Sequence, residues 1–224
     1  MSLNGSRLKP PNGNDSKDLT CKMVLLGRPG VGKTALTVRF LTRRFIGEYC
    51  PTLESVYKCH TQVDDDNVRL DILDTAGQAQ TGWKDGYAMW ADCFVFVYSI
   101  TDRASFLEIS QLKRHVETVR KSSSITGILV GNKIDLLHDR QVTEAEAGEL
   151  ADELGCRFYE VSAADWTQVL TITDMFKDLF RDFKRTRGTR EGRHRKTSSS
   201  MRFKQAIQKV ITGKSGSNRR ATTM

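Results

Sequence analysis

The chain has 224 residues, 38% of them hydrophobic, and a formal net charge of +8 at pH 7. That length suits one domain with tails, and the densest apolar run, CFVFVYSI at 93–100, is far short of the ~20 residues a membrane-spanning helix needs. Five scattered cysteines (Cys21, Cys50, Cys59, Cys93 and Cys156) without a CxxC pair argue against a disulfide framework and read as reduced thiols of a cytosolic protein.

Residues 1–18 are polar and hold Gly, Pro, Asn and Ser; they lack the apolar core of a signal peptide and read as a disordered lead-in. KMVLLG (22–27) is a buried strand ending in glycine, and ALTVRFLTRRF (35–45) is a helix with apolar positions 36, 40 and 41. SVYKCHTQV and VRLDILD form a hairpin turned by DDDN at 64–67. CFVFVYSI is a central strand. SFLEISQLKRHVETVRK is a helix, GILVGNK a strand, TEAEAGELADELG a helix, FYEVSA the last strand, and a helix runs through MFKDLFRDFKR. A hairpin followed by strand–helix alternation predicts an α/β fold, a six-stranded, mostly parallel sheet with about five helices on both faces, over residues 19–183.

Residues 184–224 form a basic tail. From Phe183 onward the chain carries 13 Lys or Arg and one acid, a formal +12, which leaves −4 for the rest. Such a tail prefers anionic surfaces. Within it MRFKQAIQKVITGK has apolar residues at 203, 206, 207, 210 and 211, the period of a short basic amphipathic helix.

GRPGVGKT at 27–34 has the form G-x-x-x-x-G-K-T between a strand and a helix, the context of a phosphate-binding loop. Glycines let the backbone approach a phosphate and adopt angles a side chain opposes. Successive N–H groups and the helix N-terminus then converge on the anion. Gly27, Arg28, Pro29, Gly30, Val31, Gly32, Lys33, Thr34 and Ala35 make up this cradle. Lys33 reaches the β- and γ-phosphates, and the Thr34 hydroxyl is a ligand for Mg²⁺. The loop does not name the base. GNKID at 131–135 does: a carboxylate at Asp135 can accept from N1–H and the exocyclic amine of guanine together, which adenine cannot offer. Asn132 hydrogen-bonds the base and ties loops together, and the stem of Lys133 packs along the base plane. Ser162, Ala163 and Ala164 follow the last strand and add a backbone N–H for the guanine carbonyl. In LDTAGQ at 73–78 an aspartate, Asp74, ends a strand and a glycine, Gly77, follows three residues on, with Gln78 after it.

With these motifs in place the chain resembles the Ras-superfamily small GTPases over nearly all of residues 20–183. The resemblance implies a P-loop G domain that binds GTP and GDP with Mg²⁺ and hydrolyses GTP slowly as a signalling switch. In LDTAGQ it implies that Asp74 holds Mg²⁺ through a water, that Gly77 N–H meets the γ-phosphate and that Gln78 orients the attacking water. It also implies roles in FIGEYCPTLES: Phe45 stacks on guanine, Tyr49 lies over the phosphates, and Thr52 completes the Mg²⁺ shell and senses the γ-phosphate. The catalytic set it implies is Gln78, Lys33, Thr52 and Gly77; the metal set is Thr34, Thr52 and Asp74. PTLESVY, VYSITDRASF, GNKIDL, RQVT and the late KQAIQKVIT are most similar to the ras-related, oestrogen-regulated growth inhibitor group, which lacks a lipidation box.

The departures carry expectations of their own. Pro29 stands where the Ras pattern has glycine; it lacks an N–H and either obstructs hydrolysis or merely stiffens the loop. Ala79, Gln80 and Thr81 replace the acidic pair and tyrosine of Ras second switches, and Ser55 replaces an effector-loop Asp, so a distinct set of regulators and effectors is expected. The chain ends RRATTM and has Ser2 after the first methionine, which disfavours prenylation and myristoylation. The expected state is a cytosolic monomer with weak, reversible membrane or nuclear association through its tail. Two rival readings are a nucleotide-gated module with negligible hydrolysis, and a G domain regulating a nucleic-acid-binding tail. The latter is weakened by the tail's single aromatic, Phe203.

Overall fold

The computed structural model describes residues 19–45, 55–75 and 85–189. Six strands form one sheet in the order β2-β3-β1-β4-β5-β6. They are β1 (Leu19–Leu26), β2 (Ser55–Val63), β3 (Asp66–Asp74), β4 (Cys93–Ser99), β5 (Thr126–Asn132) and β6 (Arg157–Val161). β2 runs antiparallel to β3, and every other pairing is parallel. The parallel strands read as continuous apolar runs because both faces are covered. Alternation sorts their side chains. Met23, Leu25, Val95, Val97, Ile128 and Val130 face one core, while Val24, Leu26, Phe94, Phe96, Tyr98 and Leu129 face the other.

Helix α1 (Lys33–Thr42) and the last helix, α6 (169–189), close the first core with Leu36, Ile172, Met175, Phe176, Leu179 and Phe180. Helices α2 (Asp85–Trp90), α3 (Arg103–Leu107), α4 (Ile109–Arg120) and α5 (Glu144–Leu154) close the second through Ala88, Phe106, Leu112, Val116, Ala147 and Leu150. The strand order reverses at β1, so the crevice beyond the carboxyl ends of β1 and β4 is where an open α/β sheet accepts a ligand.

Three elements differ from the sequence reading. The hairpin turn is two residues, Asp64 and Asp65, because β2 and β3 pair to Val63↔Asp66; Asp64 takes φ 54° to make it. The expected single helix from Ser105 is two, α3 and α4, with Glu108 between them. It also begins earlier, since the Asp102 carboxylate accepts from Ala104 N–H and Ser105 N–H. Six α-helices stand among the described residues where about five were expected: the four placed in the sequence, one of them divided into α3 and α4, and α2, a stretch assigned to no element.

Candidate nucleotide site

The site gathers at the carboxyl ends of β1, β3, β5 and β6. After Leu26 the chain turns through Gly27, where a Cβ would stand 2.1 Å from the Val97 carbonyl oxygen; only glycine fits so close to β4. Gly32 takes φ 100°, and a Cβ there would meet Asn132 Nδ2 at 2.1 Å. α1 therefore opens directly against the Asn132 side chain. Pro29 and Gly30 form the exposed crest of the loop. The Arg28 guanidinium lies 3.6 Å from the Glu108 carboxylate.

Lys33 is buried, and its Nζ donates to Gly27 O and Arg28 O, both at 2.9 Å. Burial pulls its ammonium down to about 8, against the opposing charges of Asp74 and Glu108. Its hydrogen-bond partners among the described residues are carbonyls, while the carboxylates act only through their charge, so a phosphate would supply a directly bonded counter-charge. Asp74, at the end of β3, is also buried. Burial raises its carboxyl, opposed by a hydrogen bond from Thr34 and the charge of Lys33. Its Oδ1 has no hydrogen-bond partner among the described residues. A hydroxyl next to an unsatisfied buried carboxylate oxygen is a donor set that suits a hard cation such as Mg²⁺. No cluster of three or more His, Cys, Asp or Glu occurs among the described residues, so these two residues would need a ligand's oxygens to complete a metal shell.

Beyond the loop, Gly30, Gly32, Ala35, Phe45, Asn132, Lys133, Asp135, Leu136, Ser162, Ala163 and Ala164 line one cavity of ≈ 300 Å³. Asn132 joins its walls: Nδ2 donates to Val31 O (2.8 Å) and Oδ1 accepts from Ala163 N–H (3.1 Å). Lys133 is held at φ 74°, which turns the chain between Asn132 and Asp135. Ser162 Oγ donates to Asp135 Oδ1 at 2.5 Å and accepts from Ala164 N–H and Asp165 N–H, each 3.1 Å. The N–H groups of Ala163 and Ala164 thus have partners already, and one would have to be shared with a base carbonyl. Tyr49, Thr52, Gly77 and Gln78 lie outside the described residues.

Sequence reading missed the supports beneath this cavity. Arg39 of α1 is buried, and its guanidinium donates to Ala163 O (2.8 Å), Ala164 O (2.9 Å) and Arg43 O (3.2 Å). Arg140 grips both carboxylate oxygens of Glu160 at 2.7 Å, fastening the segment after Asp135 to β6. The faint sequence sign of Arg39 was a cation next to the apolar positions of an amphipathic helix; Glu160 gave none.

Residues 22–185 match the Ras family model. The chain is 48% identical over 197 residues to the human "Ras-related and estrogen-regulated growth inhibitor", covering 88% of this chain and 98% of that protein. It is 43% identical over 165 residues to mouse "GTP-binding protein Rit1", covering 73% and 74% of the two chains. It is 42% identical over 167 residues to "Ras-like protein rasS" of Dictyostelium discoideum, covering 74% and 84%.

Proposed function

Since the chain belongs to the Ras family, we propose that it binds GTP and GDP in the cavity between the phosphate loop and Asp135, and that it hydrolyses GTP slowly as a conformational switch. The observation that carries this reading is that two sequence motifs about a hundred residues apart line a single cavity. Asp135, oriented by the Ser162 hydroxyl, selects guanine through its two in-plane donors. The ring of Phe45 and the stem of Lys133 bound the base on its faces. The loop N–H groups and the Lys33 ammonium hold the phosphates.

Thr34 and Asp74 would hold Mg²⁺, with Thr52 joining them when the γ-phosphate is present. Bound there, the ion would neutralise charge on the phosphate oxygens. Gln78 positions water in line with the γ-phosphorus, and Lys33 holds charge that spreads onto the leaving oxygens. Thr52 and Gly77 sense the γ-phosphate, so its loss releases their two loops, which is what regulators and effectors would read. Pro29, on the exposed crest of the loop, has no N–H to offer a phosphate and either obstructs hydrolysis or merely stiffens the loop.

Single-turnover hydrolysis of preloaded GTP tests the reading. The wild type should convert GTP to GDP measurably faster than Gln78→Leu. Equal rates would leave a nucleotide-gated binding module without useful turnover.

A further inference from the structure

Arg39 is a buried cation with no carboxylate within ion-pair distance among the described residues. Its charge is met by three carbonyl oxygens and by the face of Phe45, 5.8 Å from guanidinium carbon to ring centroid. The Asp165 carboxylate feels this charge from beyond ion-pair distance, and burying a guanidinium without a direct ion pair is a poor way to stabilise a fold. The partners suggest a different use. Two of the carbonyls, Ala163 O and Ala164 O, belong to consecutive peptide groups in the wall of the cavity. The N–H ends of those same peptide groups, on Ala164 and Asp165, both donate to Ser162 Oγ. The Ser162 hydroxyl in turn donates to the Asp135 carboxylate. Two peptide planes are therefore clamped between a guanidinium on one side and a hydroxyl on the other. The fork geometry of arginine suits this task, and lysine, a point charge with one nitrogen, cannot reproduce it. The third carbonyl, Arg43 O, belongs to a residue at φ 60°, where α1 turns toward Phe45.

We propose that Arg39 is a positioning residue for base recognition: through two peptide groups and the Ser162 hydroxyl it sets the stance of the Asp135 carboxylate, and beneath Phe45 it holds the cavity's other rim. This inference rests on the guanine-nucleotide reading of the site. Arg39 is not among the residues that line the cavity. It reaches both walls of the base cavity from the helix that the phosphate loop opens.

The test uses the full chain loaded with GDP and Mg²⁺, and compares wild type, Arg39→Gln, Arg39→Lys and Ser162→Ala. GDP release and the preference for GDP over IDP are measured together, with thermal midpoints alongside. IDP lacks the exocyclic amine that Asp135 accepts from, so the GDP/IDP ratio reports the stance of that carboxylate. Arg39→Gln should release GDP about tenfold faster or more, the loss expected for one charge-assisted hydrogen bond. It should also lower the GDP/IDP ratio, with Arg39→Lys rescuing only part. A general loosening of the fold would weaken both nucleotides alike and leave the ratio where it was; that result overturns the proposal, as do release rates within about twofold of wild type in both Arg39 variants. Ser162→Ala, which breaks the same relay at its far end, should lower the ratio even if Arg39→Gln fails to fold, and an unchanged ratio there counts equally against the relay. Asp135→Asn run in parallel separates the two levels. If it leaves the guanine preference intact, the site reading itself falls and the proposal with it; if it abolishes that preference while the Arg39 variants change nothing, only the proposal falls.

Discussion

Gly131 carries a constraint that its place in the GNKID run does not reveal. A Cβ built on it would stand 2.6 Å from Tyr98 Oη and 2.8 Å from Cζ, in the core under the base cavity. Gly131→Ala should therefore destabilise the nucleotide-loaded protein by about 1–3 kcal/mol, the usual range for overpacking. Tyr98 Oη has no hydrogen-bond partner among the described residues, and burial, with the Glu160 charge behind it, pushes its ionisation upward. Tyr98→Phe alone should be close to neutral, and in the double variant it should recover part of the loss; urea midpoints of the four proteins check this. Asp135→Asn makes a second residue-scale prediction: affinity shifts from guanine toward xanthine nucleotides, read by competition binding, and unchanged selectivity would overturn the base-reading role. That the loop of 27–35 and the run Asn132–Asp135 belong together was legible in the sequence, because each motif sets particular functional groups at fixed short spacing, and both line one cavity. Arg39 and the Tyr98–Gly131 contact were not, because nothing local marks a partner 124 residues away or on the neighbouring strand.

The seam between β6 and α6 shows how elements add what motifs do not specify. Tyr159 Oη donates to Asp178 Oδ2 at 2.7 Å, and Arg181 Nη1 donates to Asp178 Oδ1 at 2.6 Å. Burial and the bond to Asp178 raise Tyr159 from 10.0 to about 12. Burial alone would raise Asp178, but the bonds from Tyr159 and Arg181 and the charges of Arg157 and Arg181 outweigh it, so its carboxyl lies below 3.8. The raised phenol contributes stability that is complete below pH 10 and lost as pH climbs through about 12. The lowered carboxyl contributes above pH 3.8 and fades as pH falls below it. The stability gap between wild type and Tyr159→Phe should thus be widest near neutrality and shrink toward pH 12; a gap constant across that range would refute the assignment. On α5 the Thr143–Glu146 capping box predicts a loss of about 1 kcal/mol for Thr143→Ala, measurable in the same denaturation series. Strand identities were legible because two-sided burial writes continuous apolar runs. The α3–α4 division was not, since Glu108 keeps helical angles (φ −76°, ψ −19°) and no proline or glycine marks the break.

At the scale of the molecule, the candidate ligand groups and the end of α6 sit at opposite poles of the sheet. The candidate ligand groups follow the carboxyl ends of the parallel strands. α6 runs the other way: Thr186 reaches Thr126 at the start of β5, and Lys184 pairs with Asp66 at the start of β3. The chain therefore leaves the described domain far from the nucleotide cavity. Beyond it, residues 190–224 carry ten Lys or Arg against one acid. Basic residues near an anionic lipid surface contribute about 1 kcal/mol each, and salt screens them. No helix among the described residues is long and apolar enough to cross a membrane. Phosphatidylserine-containing vesicles should retain the full chain at low salt and release it at high salt, and removal of residues 190–224 should abolish retention. Because α6 ends at the pole opposite the candidate cavity, loading with GDP or with a non-hydrolysable GTP analogue should give equal retention. Retention on RNA but not on vesicles would assign the tail to nucleic acid instead. Retention that follows the nucleotide would mean that the two poles communicate, which the separation of the cavity from the end of α6 argues against.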